Sequence, residues 1–396
     1  LDLPLAIYLD WFAFAALMRA LLVSSSPWFR TFQMAMAGSV GCLSLHFIRM
    51  QPSWFLEQGG NLNHPWALQT LGCWLSSLAF VWSVLRFEAR KSRIFRDIWF
   101  ETRRSIDEWT LAALCAILLG LGLFSGFIAS ASHWGLLPAS DWPNLMMGRG
   151  ILLWYAILLV TCIIYLWDEA SYPKLVLFHL LIGFGATLLG YHLGRENIAL
   201  GLNLGWSVWF LIGSILLSFN DSLNALCNRF TIRVQEGNLP ERSLRWNIAG
   251  FALLTLAWKL AEDLASIMQD PAIVPFQARD YWSPIALLIL GLFVQVFSLR
   301  NQRFLFHIQW LTMTAAGVGY IRALHHAGQL DKGCIVILPQ MMALAGGLFL
   351  WVWFLLRRFV DFKFADYPSR ATLSVGSLAA VAIILGLMRL NGSAKE

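Results

Sequence analysis

The stretch ALGLNLGWSVWFLIGSILLSF, residues 199–219, has 21 residues and carries no charged side chain. The hydrocarbon core of a bilayer is about 30 Å thick, so an α-helix needs roughly 20 apolar residues to cross it. Backbone N–H and C=O groups find no water in that core, and a helix pairs them within one segment. We therefore interpret residues 199–219 as a membrane-spanning helix.

Runs of this kind recur along the whole chain. Of its 396 residues 58% are hydrophobic and 13% are charged, whereas soluble domains carry about 25% charged residues. The predicted spans lie at about 4–24, 31–50, 66–86, 110–131, 147–167, 174–193, 199–219, 246–268, 283–299, 304–324, 334–356 and 372–389. The sequence thus predicts an all-α fold, a multi-spanning transmembrane helical bundle of about 12 spans.

Lysine and arginine are concentrated on one side of this topology. The loops after the odd-numbered spans carry 19 of the 29 Lys and Arg residues, the opposite loops and the tail carry 7, and 3 fall inside spans. Short cytoplasmic loops are enriched in these residues, so the basic side is predicted to be cytoplasmic. The net charge of +6 suits anionic lipid headgroups, so the expected partners include membrane lipids and exclude nucleic acid. We expect an integral protein of the bacterial inner (cytoplasmic) membrane.

The predicted cytoplasmic loops alternate in length. Long loops at about 87–109, 220–245 and 357–371 begin about 135 residues apart, and short loops separate them. This spacing fits a repeated unit of four spans, and chance alternation of loop length explains it equally well. We divide the chain into an N-terminal region of about five spans, residues 1–170, and a second region of about seven spans, residues 171–396.

Two acidic loops of the second region resemble those of a known family. The first, FNDSLNALCNRFTIRVQEGNLPERSLRW, residues 219–246, begins as the span at 199–219 ends. The second, LWVWFLLRRFVDFKFADYPSRATLSVG, residues 350–376, follows four predicted spans later. This layout resembles the UbiA-type intramembrane prenyltransferases, in which the helix before the first long loop ends in Asn-Asp-x-x-Asp-x-x-x-Asp. The resemblance covers about residues 171–396.

The resemblance implies a site for an isoprenyl pyrophosphate. In the family two aspartate clusters hold Mg²⁺, a hard cation that prefers oxygen ligands and stabilises a leaving pyrophosphate. By this resemblance the Mg²⁺ ligands would be Asp221, Asp361 and Asp366. The remaining residues of the implied substrate-binding site are Asn220, Asn224, Asn228, Arg233 and Arg370. The arginines would pair with phosphate oxygens.

The chain departs from the family pattern in its chemistry. Asn224 and Asn228 stand where the family has aspartates, and an amide contributes no charge to Mg²⁺ binding. Five predicted spans precede the resembling part and have no counterpart in the family. We therefore predict a degenerate relative that binds a lipid, pigment or quinone, or serves assembly, in a complex with other membrane proteins. The alternatives are an active Mg²⁺-dependent prenyltransferase, with unassigned catalytic residues, and a transporter.

Other polar groups lie inside predicted spans. Lys259 is three and four residues from Glu262 and Asp263, so the three share one helix face. They either line an ion or proton path or pair with one another at the span end. His179 and His192 are thirteen residues apart on one span, a spacing that suits two haem ligands, but no second span has matching histidines, so the alternative is two interfacial or hydrogen-bonded histidines. The glycines of GFGATLLG, residues 183–190, predict a close helix approach.

Overall fold

The computed structural model describes residues 2–50, 62, 64–100, 106–168, 171–194, 197–219, 239–268, 277–299, 303–329, 334–356 and 367–393. In these residues all regular secondary structure is α-helical. The helices are α1 Asp2–Val23, α2 Ser26–Arg49, α3 Pro65–Ala89, α4 Arg93–Phe100, α5 Ile106–His133, α6 Trp142–Met146, α7 Arg149–Asp168, α8 Tyr172–Leu193, α9 Ile198–Ser218, α10 Leu239–Met268, α11 Ala278–Leu299, α12 Arg303–His326, α13 Cys334–Leu356 and α14 Tyr367–Ser393.

A helix of 20 or more residues lies at each of the twelve predicted spans, and α4 and α6 are short additions. Nine helices in the described residues are long and apolar enough to cross a membrane, namely α1, α2, α3, α5, α7, α8, α9, α11 and α13. The predicted all-helical bundle of a multi-spanning membrane protein is therefore confirmed. The remaining long helices are more polar, as in α10 with its Lys259, Glu262 and Asp263. The number of about 12 spans stays a prediction.

Several helix starts are set by local chemistry. Pro27 and Pro65 stand in the first turns of α2 and α3, where a missing N–H leaves no hydrogen bond unmade. The imidazole of His64 accepts a hydrogen bond from the N–H of Trp66, which caps α3. Asn197 caps α9 in the same way, because its Oδ1 accepts from the N–H of Leu200 at 3.0 Å. These caps satisfy donors that the first turn of a helix leaves open.

The described residues form two compact units. The first contains α1 to α4, α6, α7, α5 as far as Ala129 and α8 as far as Leu188. Within it α1 packs on α2 through a buried stripe of alanines, Ala6, Ala13, Ala16 and Ala20. The short helix α4 packs Ile98 and Trp99 against a cluster that includes Phe29 and Trp82.

The second unit contains α9, α11 to α14, α10 from Leu244 and the final turns of α5 and α8. Phe210 of α9 lies against Gly291 of α11, and Gln295 donates a hydrogen bond to Ser214 at 2.8 Å. The indole rings of Trp206 and Trp258 meet edge to face with centroids 5.3 Å apart. Helices α9 to α12 of this unit line the half-open space described next.

Candidate functional site

Seven of the eight site residues predicted from the family resemblance lie outside the part of the chain that the structure describes. Asn220, Asp221, Asn224, Asn228, Arg233, Asp361 and Asp366 all lie outside the described residues. Arg370 lies in the first turn of α14. The structure therefore does not test the predicted site, and it locates only the helices that lead into it.

The helix before the first acidic loop has a defined end. Residue Ser218, two positions before Asn220, closes α9, and its hydroxyl is hydrogen-bonded to that of Ser298 at the end of α11. Helix α9 runs beside α10, and the indole N–H of Trp209 on α9 donates a hydrogen bond to Oδ1 of Asn247 on α10 at 2.8 Å. The carboxyl ends of α9 and α11 therefore lie together where the acidic loop begins.

A cavity of about 920 Å³ lies among α9, α10, α11 and α12 in the second unit. Its wall is predominantly apolar, and α10 contributes more of it than any other helix. The apolar lining side chains are Phe210, Trp246, Ile248, Ala249, Ala252, Leu253, Leu256, Leu260, Ile285, Leu288, Leu292, Phe304, Trp310, Leu311, Ala315 and Val318. At 1.5 Å per residue the wall from Arg245 to Asp263 on α10 is about 27 Å long. The cavity is a ligand-sized, elongated apolar site.

One end of the cavity carries charged groups from α10 and α12. Lys259 donates to Oε2 of Glu262 at 2.9 Å, and Arg322 donates to Oδ1 of Asp263 at 2.8 Å. Arg322 also lies 3.3 Å from Oε1 of Glu262. The ammonium of Lys259 sits 4.6 Å from the ring centroid of Tyr281, a cation–π contact. With two bases and two acids the cluster is balanced in charge.

These four charged side chains are buried, with exposed side-chain fractions between 3% and 12%. The pairing expected for Lys259 and the neighbouring acids is thus present, and Arg322 completes it from another helix. Burying an isolated ion is costly, so the pairing is what allows these groups to remain inside. Because Lys259, Asp263 and Tyr281 also line the cavity, this end presents both donors and acceptors to it.

The opposite end of the cavity is basic and polar. Arg245 of α10, Gln295 of α11 and His307 of α12 line it, and no acid stands among the cavity-lining residues at this end in the described part of the chain. Arg245 lies near the start of α10. The last turns of α9 pack against this part of α10, where Gly213 of α9 lies so close to Ile248 of α10 that an added Cβ would collide with it. This end therefore belongs to the same side of the unit as Ser218 and the start of the acidic loop.

The first unit holds a second, separate group of charges. The guanidinium of Arg86 at the end of α3 donates to Oδ2 of Asp107 at 3.0 Å and to Oδ2 of Asp168 at 3.3 Å. Its Nη2 lies 2.9 Å from Oε1 of Glu108. Asp107 and Glu108 stand in the first turn of α5, whereas Asp168 ends α7. One buried arginine thus joins the ends of three helices.

Further side chains complete this network. The hydroxyl of Tyr165 donates to Oδ2 of Asp107 at 2.6 Å, and the indole of Trp99 donates to its Oδ1 at 3.3 Å. Lys174 in the first turn of α8 lies 3.4 Å from Oε1 of Glu108. Arg90 pairs with Asp168. Three bases and three acids balance, and the arrangement fastens helix ends together.

One of the two span histidines has the predicted hydrogen bond. Nδ1 of His179 is hydrogen-bonded to the hydroxyl of Ser243 at 2.8 Å, whereas the buried Nε2 of His192 has no hydrogen-bond partner among the described residues. Among the described residues no group of three or more His, Cys, Asp or Glu side chains could hold a metal ion. The predicted Mg²⁺ site therefore depends entirely on Asp221, Asp361 and Asp366, which lie outside those residues.

Sequence reasoning missed most of the cavity. Lys259 and Asp263 were singled out by their spacing, but the wall around them consists of ordinary leucines and alanines. It also missed the Arg86 network, whose members are spread over nearly ninety residues. Charged residues at three helix ends, Arg86 at one and acids at the other two, were the available signal, yet which ends meet is a property of the fold.

The chain matches no protein-family model, no curated protein and no solved structure. The resemblance to UbiA-type prenyltransferases therefore stays a prediction that rests on the residues quoted from the sequence.

Proposed function

We propose that the chain is an integral membrane protein that binds an isoprenoid-type lipid with an anionic head, such as a prenyl diphosphate, in the cavity of the second unit. The observation that carries this proposal is the elongated apolar cavity between a basic end and a charge-balanced end. Binding, rather than efficient turnover, is the function that this site and the degenerate acidic motif favour together.

The apolar wall suits the tail of such a lipid. The side chains of Leu256, Leu288 and Leu311 line the middle of the cavity. Transfer of hydrocarbon from water to such a surface is favourable by about 25 cal/mol per Å² of buried area. Inside a bilayer the tail gains less, because lipid is already apolar, so shape and the head must supply the selectivity.

The basic end suits the head. Arg245, Gln295 and His307 offer hydrogen-bond donors there, and guanidinium groups bind phosphate oxygens well. The opposite end is less suitable for an anion, since Glu262 and Asp263 already compensate Lys259 and Arg322. The head would therefore lie toward the end of α9, beside the loop that carries Asp221.

Catalysis is a further step in this proposal and rests on other residues. Mg²⁺ bound by Asp221, Asp361 and Asp366 would stabilise a departing pyrophosphate. With Asn224 and Asn228 as neutral neighbours, the first cluster keeps one carboxylate. We infer weak metal binding and slow turnover at best, with the lipid site retained.

The test measures binding of radiolabelled geranylgeranyl diphosphate to the full chain in phosphatidylcholine nanodiscs, with and without Mg²⁺. Ala252 lines the cavity, whereas Ala257 is exposed on the same helix and does not line it. Ala252→Phe should weaken binding by about tenfold or more because the ring fills the cavity. Ala257→Phe adds the same ring outside the cavity and should leave binding unchanged.

Saturable binding that Ala252→Phe weakens and Ala257→Phe preserves supports the lipid site. Absence of saturable binding, or equal effects of the two variants, refutes it. Affinity that rises with Mg²⁺ supports a retained metal site, whereas equal affinity in the presence of EDTA rejects the metal and leaves the lipid site standing. Inorganic pyrophosphate should compete weakly, because it has no tail to occupy the apolar wall.

A further inference from the structure

Helix α1 carries a regular, largely apolar seam that lies beside the stripe by which it packs on α2. Its members, spaced alternately by four and three residues, are Leu3, Ile7, Asp10, Phe14, Leu17 and Leu21. A repeat that averages 3.5 residues is the pattern by which two helices pack along a common seam. Leu3, Ile7 and Phe14 are 39%, 50% and 57% exposed, so much of this seam is uncovered.

The seam from Leu3 to Phe14 is distinct from the surface that holds α1 in place, whereas Leu17 and Leu21 at its far end pack on the cluster that contains Phe29 and Trp82. The alanine stripe of α1, Ala6, Ala13, Ala16 and Ala20, is buried against α2, and the carbonyl oxygen of Ala6 accepts a hydrogen bond from Ser39. Small residues allow that close approach. The larger seam residues around Asp10 are left for another neighbour.

One seam position carries a charge, and it lies at mid-depth. Asp2, at the start of α1, pairs with Arg49 at the end of α2. Arg19, near the other end of α1, lies 5.3 Å from the ring centroid of Trp28. Asp10 is eight residues from Asp2 and nine from Arg19, or about 12 Å and about 14 Å along the helix. An ionised carboxylate at that depth is costly unless a cation meets it.

Asp10 differs in this respect from the acids buried elsewhere in the described part of the chain. Asp107 and Asp168 pair with Arg86, and Asp263 pairs with Arg322. Asp10 is exposed, and among the described residues it has no hydrogen-bond or ion-pair partner. The Lys and Arg residues beyond the described part fall in predicted loops and the tail, away from mid-membrane.

We propose that α1 packs, through the seam around Asp10, against a transmembrane helix of a different protein that carries a Lys or Arg at mid-membrane. Charge complementarity selects this partner. A second copy of the chain with the same seam would bring Asp10 against Asp10, which repels. A single polar seam position of this kind sets partner and register in paired helices. The proposal is independent of the lipid cavity, which lies in the other unit.

The test uses the full chain, donor-labelled, in phosphatidylcholine vesicles with an acceptor-labelled peptide. The peptide is a Leu/Ala-rich transmembrane helix with one central Lys, and a matched peptide has Leu at that position. Energy transfer is measured for wild type, Asp10→Asn and Asp10→Glu. The Lys peptide should bind wild type about tenfold more tightly than Asp10→Asn, and Asp10→Glu should retain most of the affinity.

The Leu peptide should bind wild type and Asp10→Asn equally weakly. Two results would overturn the proposal. One is equal affinity of the Lys peptide for wild type and Asp10→Asn, which would assign the seam to lipid. The other is self-association between donor- and acceptor-labelled copies that Asp10→Asn abolishes, which would assign it to a second copy. Circular dichroism of each variant verifies that the helices are formed.

Discussion

Arg86 illustrates how a single buried residue can hold the ends of several helices together. Its side chain is 5% exposed and contacts Asp107, Glu108 and Asp168. A buried ion pair is not in itself strong evidence of stability, since both charges lose their hydration. Removing one partner is a different matter, because the others remain buried and uncompensated. Arg86 forms ion pairs with three acids, so its removal should leave all three carboxylates without that partner.

Replacement of Arg86 should therefore destabilise the first unit strongly. Arg86→Met keeps the length of the side chain and should lower the free energy of unfolding by about 3–5 kcal/mol. Arg90→Met is the matched control, because Arg90 pairs with the same Asp168 but its side chain is 30% exposed. That variant should cost about 1 kcal/mol or less. Unfolding by SDS titration in mixed micelles, followed by far-UV circular dichroism, measures both.

A second comparison separates charge from packing. Adding Asp107→Asn and Asp168→Asn to Arg86→Met removes the two most buried of the three charges that Arg86 had compensated, and the third, Glu108, keeps Lys174 as a partner. If uncompensated charge is the cause, this triple variant should be more stable than Arg86→Met alone. Equal losses in Arg86→Met and Arg90→Met would show that the buried position of Arg86 has no special role.

Among the elements, the backbones of α8 and α9 approach each other closely. Gly190 and Gly194 near the end of α8 face Gly201 in the first turn of α9. A Cβ on Gly201 would collide with the carbonyl oxygen of Gly190 and would lie 2.6 Å from Cα of Gly194. The close approach predicted from the glycines of residues 183–190 is confirmed here. Backbone, rather than a flexible side chain, fills the space.

Gly201→Ala should consequently force the two helices apart. We expect a loss of about 1–3 kcal/mol in the free energy of unfolding, as for other overpacked sites. Gly120→Ala on α5 is the matched control, because nothing lies within 4 Å of a Cβ there. It should be neutral or stabilising by up to about 1 kcal/mol through helix propensity. Loss of stability in both variants alike would contradict the close contact at Gly201.

The elements themselves were largely predictable, and their departures have physical causes. Every predicted span matches a long helix because a run of about 20 apolar residues has few alternatives in a bilayer. Helix α10 begins at Leu239, seven residues before its predicted start. Its first turns are polar, and hydropathy does not register a helix that extends into water. Helix α4 was assigned to a loop because its burial depends on Phe29 and Trp82, which are distant in sequence.

At the scale of the whole molecule, the cavity could not be predicted either, because its wall consists of residues that are distant from one another in sequence. Leu256 of α10 and Leu288 of α11 are indistinguishable in sequence from lipid-facing leucines until the neighbours of each helix are known. The charged residues are more informative, since each must find a partner. Lys259 was noticed for that reason, whereas Asp10 was overlooked because no base lies three or four residues from it on its helix.

The pairing of helix ends supports the predicted alternation of helix direction within each unit. Arg86, Asp107 and Asp168 bring the end of α3, the start of α5 and the end of α7 together. In the second unit Tyr281, at the start of α11, contacts Lys259 and Arg322, which stand near the ends of α10 and α12. Neighbouring spans therefore run in opposite directions, as the topology requires.

This alternation leads to a prediction about the basic loops. Because Lys and Arg are retained on the cytoplasmic side, Arg93, Arg233 and Lys363 should all be cytoplasmic, and Gln329, after α12, should lie on the opposite side. Each position is changed to cysteine in a background without native cysteines and treated with a membrane-impermeant maleimide. Arg93→Cys, Arg233→Cys and Lys363→Cys should react in inverted vesicles alone, and Gln329→Cys in intact spheroplasts alone. Reaction of Arg93→Cys and Arg233→Cys from opposite faces would refute the topology, and with it the placement of the lipid head at the cytoplasmic end of the cavity.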